Sequence, residues 1–128
     1  MTVKLTSNFS FSEFACRSGK DFSSEAIANI MVLAEQLEVI RSEAGDRSIK
    51  INSGYRSPKH NAKIGGAKNS QHLKGMAADI VISGMKPSET ADLIERLIDE
   101  GKILEGGVGR YARFTHYDIR GKKARWSK

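Results

Sequence analysis

"SQHLKGMAADIVI", residues 70–82, sets His72 and then Asp79 within a run that ends in small and branched apolar residues. From Met76 onward the composition is that of a buried strand, so Asp79 has apolar neighbours whichever way it faces. An unpaired carboxylate there costs several kcal/mol, and it therefore needs a cation. Two solutions are open on the residues alone. One is a buried ion pair with Arg56 or a C-terminal arginine. The other is a divalent ion that Asp79 shares with His72 and with His116, two imidazoles and one carboxylate leaving an open fourth position.

The segments around this stretch supply the rest of the fold. Upstream, Ile27, Ile30, Met31, Ala34, Leu37 and Ile40 recur at three- and four-residue steps behind Ser23 and Ser24, which predicts an amphipathic helix ending before Gly45. "SIKINSGYRS" alternates as a short strand with Ile49 and Ile51 on one face. Residues 57–75 lack periodicity and read as one long loop, a length that usually carries function. Downstream, Pro87 opens and Gly101 closes a second helix whose stripe is Leu93, Ile94, Leu97 and Ile98. "GGVGRY" then reads as a turn into the strand "RFTHYDIRG", with Phe114, His116 and Asp118 on one face. Neither repeat nor linker is visible. The expectation is one α+β domain over residues 1–128, helices packed on a mostly antiparallel sheet.

The chain has 128 residues, enough for one real core, with 39% hydrophobic and 28% charged residues and no long apolar run. This is the composition of a soluble globular protein. The single Cys16 can form neither an internal disulfide nor a cysteine-based zinc site, and a small buried side chain is expected there. The net charge of +6 is local: residues 101–128 carry eight basic and two acidic side chains, and the remainder is neutral. A basic face attracts nucleic acid, an anionic membrane or an anionic wall polymer alike, and an ordinary solvated surface fits as well. Nucleic acid is disfavoured, because no helix carries a row of basic residues and no reading motif is present.

Ser70, His72, Gly75, Ala77 and Asp79 spell S-x-H-x-x-G-x-A-x-D. That pattern resembles the zinc signature of the D-Ala-D-Ala carboxypeptidase family of peptidoglycan peptidases, related to the hedgehog-type and lysostaphin-type zinc folds. The likeness extends to "SGYRSPKHN" at 53–61, similar to the family's substrate-side loop, and to "FTHYDIRG" at 114–121, similar to its closing strand with the last zinc histidine. With "FSEFACR" at 11–17 it covers most of the chain.

The resemblance implies that His72, Asp79 and His116 bind zinc, with water completing the site. Gly75 would permit a tight turn, and Ala77 would leave room beside the metal. Arg56 would hold a substrate carboxylate or carbonyl through its planar fork, or pair with Asp79. Ser70 would bond a substrate oxygen or a backbone group. Tyr55 and Tyr111 would wall the cleft, donate to the developing oxyanion, or simply pack. His60 is expected on an exposed loop, with an approach to the substrate as its alternative, and Trp126 over the edge of the core, with stacking on a sugar as its alternative. One departure stands out. Relatives place a glutamate three residues before the last zinc histidine, or histidines two and five before it, whereas this chain has Arg113, Phe114 and Tyr111. Asp118 is the replacement general base by position; its alternatives are to orient His116 or to pair with Arg120.

The function implied is hydrolysis of an amide bond in peptidoglycan stem or cross-bridge peptides, as D-Ala-D-Ala carboxypeptidase or L-Ala-D-Glu-type endopeptidase. The alternative is a zinc-stabilised wall-binding module with little or no turnover. Without a secretory signal at the start, the expectation is a monomeric phage-type lysin, made in the cytoplasm and acting on the wall after release. Its basic C-terminal segment would rest on anionic wall polymer.

Overall fold

The computed structural model describes residues 4–15 and 22–128, so the expectation for Cys16 lies outside the described residues. Elements follow in the order β1 (Lys4–Thr6), β2 (Phe9–Ser10), α1 (Ser24–Glu43), β3 (Ile49–Ser53), α2 (Pro58–Lys63), β4 (Ala77–Ile82), α3 (Pro87–Asp99), β5 (Gly107–Arg110), β6 (Thr115–Asp118) and β7 (Ala124–Ser127). Strands β3 to β7 form one sheet in the order β3-β4-β6-β5-β7, antiparallel except for the β5–β7 pair; β1 and β2 make a separate hairpin. The α+β reading with a mostly antiparallel sheet agrees with this architecture.

Helix α1 starts where the sequence places it, with the Ser23 hydroxyl accepting the amide of Ala26 at 3.1 Å. Its buried stripe is Ala26, Ile30, Leu33, Ala34, Leu37 and Ile40. The expected stripe is thus corrected at two positions: Ile27 and Met31 are 37% and 49% exposed, because the helix turns Leu33 inward instead. Helix α3 buries Ala91, Leu93, Ile94, Leu97 and Ile98 against the same core. Each fully buried Leu or Ile contributes about 1.5–3 kcal/mol.

Three other expectations change. The 57–75 stretch is not one loop. It holds α2, capped by the Ser57 hydroxyl on the amide of His60, and a 3₁₀ turn at Gln71–Lys74 capped by Ser70 on the amide of His72. His60 therefore sits half-buried on a helix and not on an open loop. "GVGR" is strand β5 and not a turn, because its glycines let the backbone pair closely with β6. Strand β7 was not foreseen. It lies parallel to β5 and sets Trp126 opposite Gly109.

Register places the central residues. Strand β4 pairs with β6 so that Asp79 opposes His116 and Ala77 opposes Asp118. Side chains two apart share a face, so all four lie on one side of the sheet. His72 is delivered to that side by the 3₁₀ turn, which ends at Gly75 with φ +72°; a β-carbon there would fall 2.7 Å from the carbonyl oxygen of Ala26. The glycine both turns the chain and lets it touch α1.

Candidate metal centre and its cleft

His72, Asp79 and His116 are buried and offer ligand atoms that all lie within 4.8 Å of one another. Each ring is held by a second partner. His72 donates Nδ1–H to the Gly54 carbonyl at 2.7 Å, which leaves Nε2 facing Asp79 Oδ1 at 3.3 Å. His116 donates Nε2–H to Asp118 Oδ2 at 2.6 Å, which turns Nδ1 toward the same Asp79 oxygen at 3.0 Å. Neutral rings would thus aim lone pairs at an anionic oxygen. Charged rings would set two buried cations edge to face with centroids 5.2 Å apart. A divalent ion among the three atoms removes both difficulties, and two imidazoles with one carboxylate are a donor set suited to zinc.

Where no ion lies between them, the facing ring edges act on Asp79 as hydrogen-bond donors instead. Burial works to raise the Asp79 carboxyl, but hydrogen bonds from His116 and His72 outweigh it and hold the group well below the usual carboxylate range. Asp118 behaves in the same way: burial is overcome by Arg120, His116 and the amide of Gly107. His116 is raised, its two carboxylate partners outweighing burial.

The remaining predicted residues fall in different places. Asp118 is 0% exposed; Oδ1 accepts from the amides of Gly107 and Arg120 and from Arg120 Nε, and Oδ2 from Arg120 Nη2 and His116. Neither oxygen is free to face a water in the cleft. Arg56 lies beside the centre, its Nη2 3.6 Å from Asp79 Oδ2, with Nε donating to Ser53 and Nη1 to Asn61. Both of its anticipated roles are thus compatible with one position. Ser70 lines the cleft while its hydroxyl caps the 3₁₀ turn. Tyr55 does not line the cleft; its ring is buried against Phe22, with centroids 5.5 Å apart, and borders a smaller pocket on the other side of Arg56.

The cleft itself has a volume of about 520 Å³ and is walled by Arg56, Tyr111, Phe114, Arg120 and Trp126 above the three candidate ligands. Trp126 is a residue whose place the sequence did not reveal. Its ring lies against that of His116, with centroids 4.9 Å apart, where an edge-of-core position was expected. The signal was present in "GVGRY" and "ARW", but only the parallel β5–β7 pairing joins them.

Two buried histidines and an aspartate converge here from a 3₁₀ turn and two neighbouring strands of an α+β chain, a donor set that suits a divalent metal. Residues 7–118 match the peptidase M15 family, and the chain belongs to that family. It is similar to the zinc D-Ala-D-Ala carboxypeptidase of Streptomyces albus G, with 40% identity over 78 residues, 57% of this chain and 31% of that protein. The chain thus matches under a third of the length of this curated relative. Among solved structures it resembles the Serratia marcescens L-Ala D-Glu endopeptidase ChiX, with 19% identity and a TM-score of 0.46 over 77% of this chain and 88% of that one.

Proposed function

We propose that this chain is a zinc metallopeptidase that hydrolyses amide bonds in the peptides of bacterial peptidoglycan. The observation that carries the reading is the convergence of His72 Nε2, Asp79 Oδ1 and His116 Nδ1 on the floor of an open cleft. These three residues would hold the ion. Zinc bound there polarises a carbonyl and brings the pKa of a water down toward about 7. The chain supplies the rest. Gly54 and Asp118 fix which ring nitrogen of each histidine faces the centre, and Arg56 presents a planar cation to a carboxylate or carbonyl of the peptide. Asp118 acts in this reading as the group that orients His116.

Membership of the M15 family supports the reaction class, and the similarity to a D-Ala-D-Ala carboxypeptidase supports a peptide of the cell wall as substrate. Among the described residues no helix is long and apolar enough to cross a membrane. Lys102, Arg110, Arg120 and Arg125 of the basic segment are used in ion pairs, whereas Arg113, Lys122, Lys123 and Lys128 form none among the described residues. This second group is the part of the segment left to attract anionic wall polymer in a lysin that reaches the wall after release.

A second reading has an observation of its own. Among the described residues lining the cleft, Asp79 is the only one with a carboxylate side chain, so a zinc-stabilised wall-binding module without a general base also fits. Mass analysis of defined muropeptides, with and without a chelator, separates the two. Chelator-sensitive release of a shorter peptide supports the peptidase; stoichiometric zinc with intact substrate supports the module.

A further inference from the structure

We propose that the Tyr111 hydroxyl is a catalytic hydrogen-bond donor, binding the carbonyl oxygen of the scissile amide and holding it more tightly as charge develops there. The inference rests on the peptidase reading above and gives one wall of that cleft a role in the reaction.

Four observations lead to it. Tyr111 lies in the cleft with its ring stacked flat on Phe114, centroids 4.3 Å apart and planes 16° from parallel, and its amide donates to the Phe114 carbonyl. The phenol is therefore held at its ring and at its backbone. Trp126 donates Nε1–H to the Tyr111 oxygen at 2.8 Å. Indole has a donor and no acceptor, so the phenol is the acceptor in this contact and its own proton remains available. Among the described residues no acceptor takes that proton. Trp126 in turn lies against the ring of His116, which ties the tyrosine to the candidate metal centre. A β-carbon at Gly109 would fall 2.5 Å from the indole, so the site is built for the tryptophan to sit this deep.

The chemistry follows from these contacts. A hydroxyl that already accepts a hydrogen bond is polarised and donates a stronger one. When hydroxide bonds to the carbonyl carbon, the π pair moves onto oxygen, and a fixed O–H beside it stabilises that charge without having to reorganise. Tyr111 keeps its proton throughout. Trp126 is a positioning residue that sets where the phenol proton points.

The test is Tyr111→Phe, which removes one oxygen and leaves the stacked ring. The expected result is a kcat lower by about 100-fold, the usual order for one lost oxyanion donor, with KM within twofold and zinc content unchanged. A zinc-binding phosphinate analogue of the tetrahedral state should bind about 100-fold more weakly, whereas a peptide of the product class should bind as before. Trp126→Phe should lower kcat in the same direction by a smaller factor, and it stands in should Tyr111→Phe fail to fold. Wild-type kcat and phosphinate affinity in Tyr111→Phe would overturn the proposal, as would equal weakening of phosphinate and product. Wild-type protein that binds zinc and phosphinate but releases no product would instead remove the peptidase reading, and the phosphinate ratio would still judge Tyr111.

Discussion

At the residue scale the site is governed by which atom of each side chain is left over. Asp118 illustrates this best. Five donors surround its two oxygens, so its carboxylate is spent on holding Arg120 and the Nε2–H of His116. Replacing it with asparagine puts an amide where two charge-assisted bonds are made. We expect Asp118→Asn to weaken zinc binding by about 10–100-fold, the usual cost of losing a ligand's supporting partner, as read by competition with a chromogenic chelator. Unchanged affinity would show that His116 needs no such support. Arg56 is held by Ser53 and Asn61 with its remaining nitrogen toward Asp79. A lysine cannot reproduce that fork. Arg56→Lys should raise KM for the peptide by about tenfold, a bidentate contact reduced to a point charge, while zinc stoichiometry stays the same.

At the scale of elements, the sheet brings the site together and the glycines of β5 allow it. Asp118 approaches β5 so closely that a β-carbon at Gly107 would fall 2.3 Å from its Oδ2. Gly107→Ala should therefore destabilise the fold by about 1–3 kcal/mol, the range for overpacking, with a lowered melting temperature as the readout. A melting temperature equal to wild type would mean that β5 shifts freely. Helix α3 is joined to the same edge by Glu95, which accepts from Arg110 at 2.6 Å and Arg125 at 3.0 Å. The Arg110 contact, together with Arg125, holds the Glu95 carboxyl below its ordinary value against the effect of burial. A lowered carboxyl stabilises the fold fully above its unfolded value, and that contribution disappears as pH falls through the folded value. Acid should consequently lower the melting temperature below about pH 4.5, the ordinary glutamate range, and Glu95→Gln should show a shallower acid slope.

At the scale of the whole molecule, zinc and folding are coupled, because the three candidate ligands come from a turn and two strands that meet only in the folded chain. Zinc at 100 times its dissociation constant should add about 2.7 kcal/mol to stability. Thermal unfolding with and without a chelator measures this directly, and coincident curves would argue against an ion at the three residues. Wall binding carries a further expectation. If Arg113, Lys122, Lys123 and Lys128 attract anionic polymer, retention on purified walls should fall between low and high salt, since exposed charges are screened within about 8 Å at physiological ionic strength.

Much of the site was legible because its logic is local and chemical. A carboxylate in an apolar strand needs a cation, which on the residues alone leaves an arginine or a shared ion open, and the likeness of S-x-H-x-x-G-x-A-x-D and "FTHYDIRG" to the zinc peptidases is what singles out His72, Asp79 and His116. The helices were legible for a similar reason, since a 3.6-residue period and its caps lie within one stretch of chain. Periodicity places Ile27 and Met31 in the stripe of α1 and omits Leu33, because it marks apolar positions and only packing chooses between Leu33 and Met31. Strand β7 was hidden by its composition: "ARWS" is short and half polar, and its partner β5 is half glycine, so neither carries strong strand propensity. The sequence by itself therefore determined that Asp79 needs a cation, the family resemblance and the main helices, all of which are written in short stretches of chain. Only the tertiary structure decided that Asp118 is sealed behind His116, that Tyr55 lies outside the cleft, and that Trp126 holds Tyr111 within it, because those facts depend on which distant strand lies alongside.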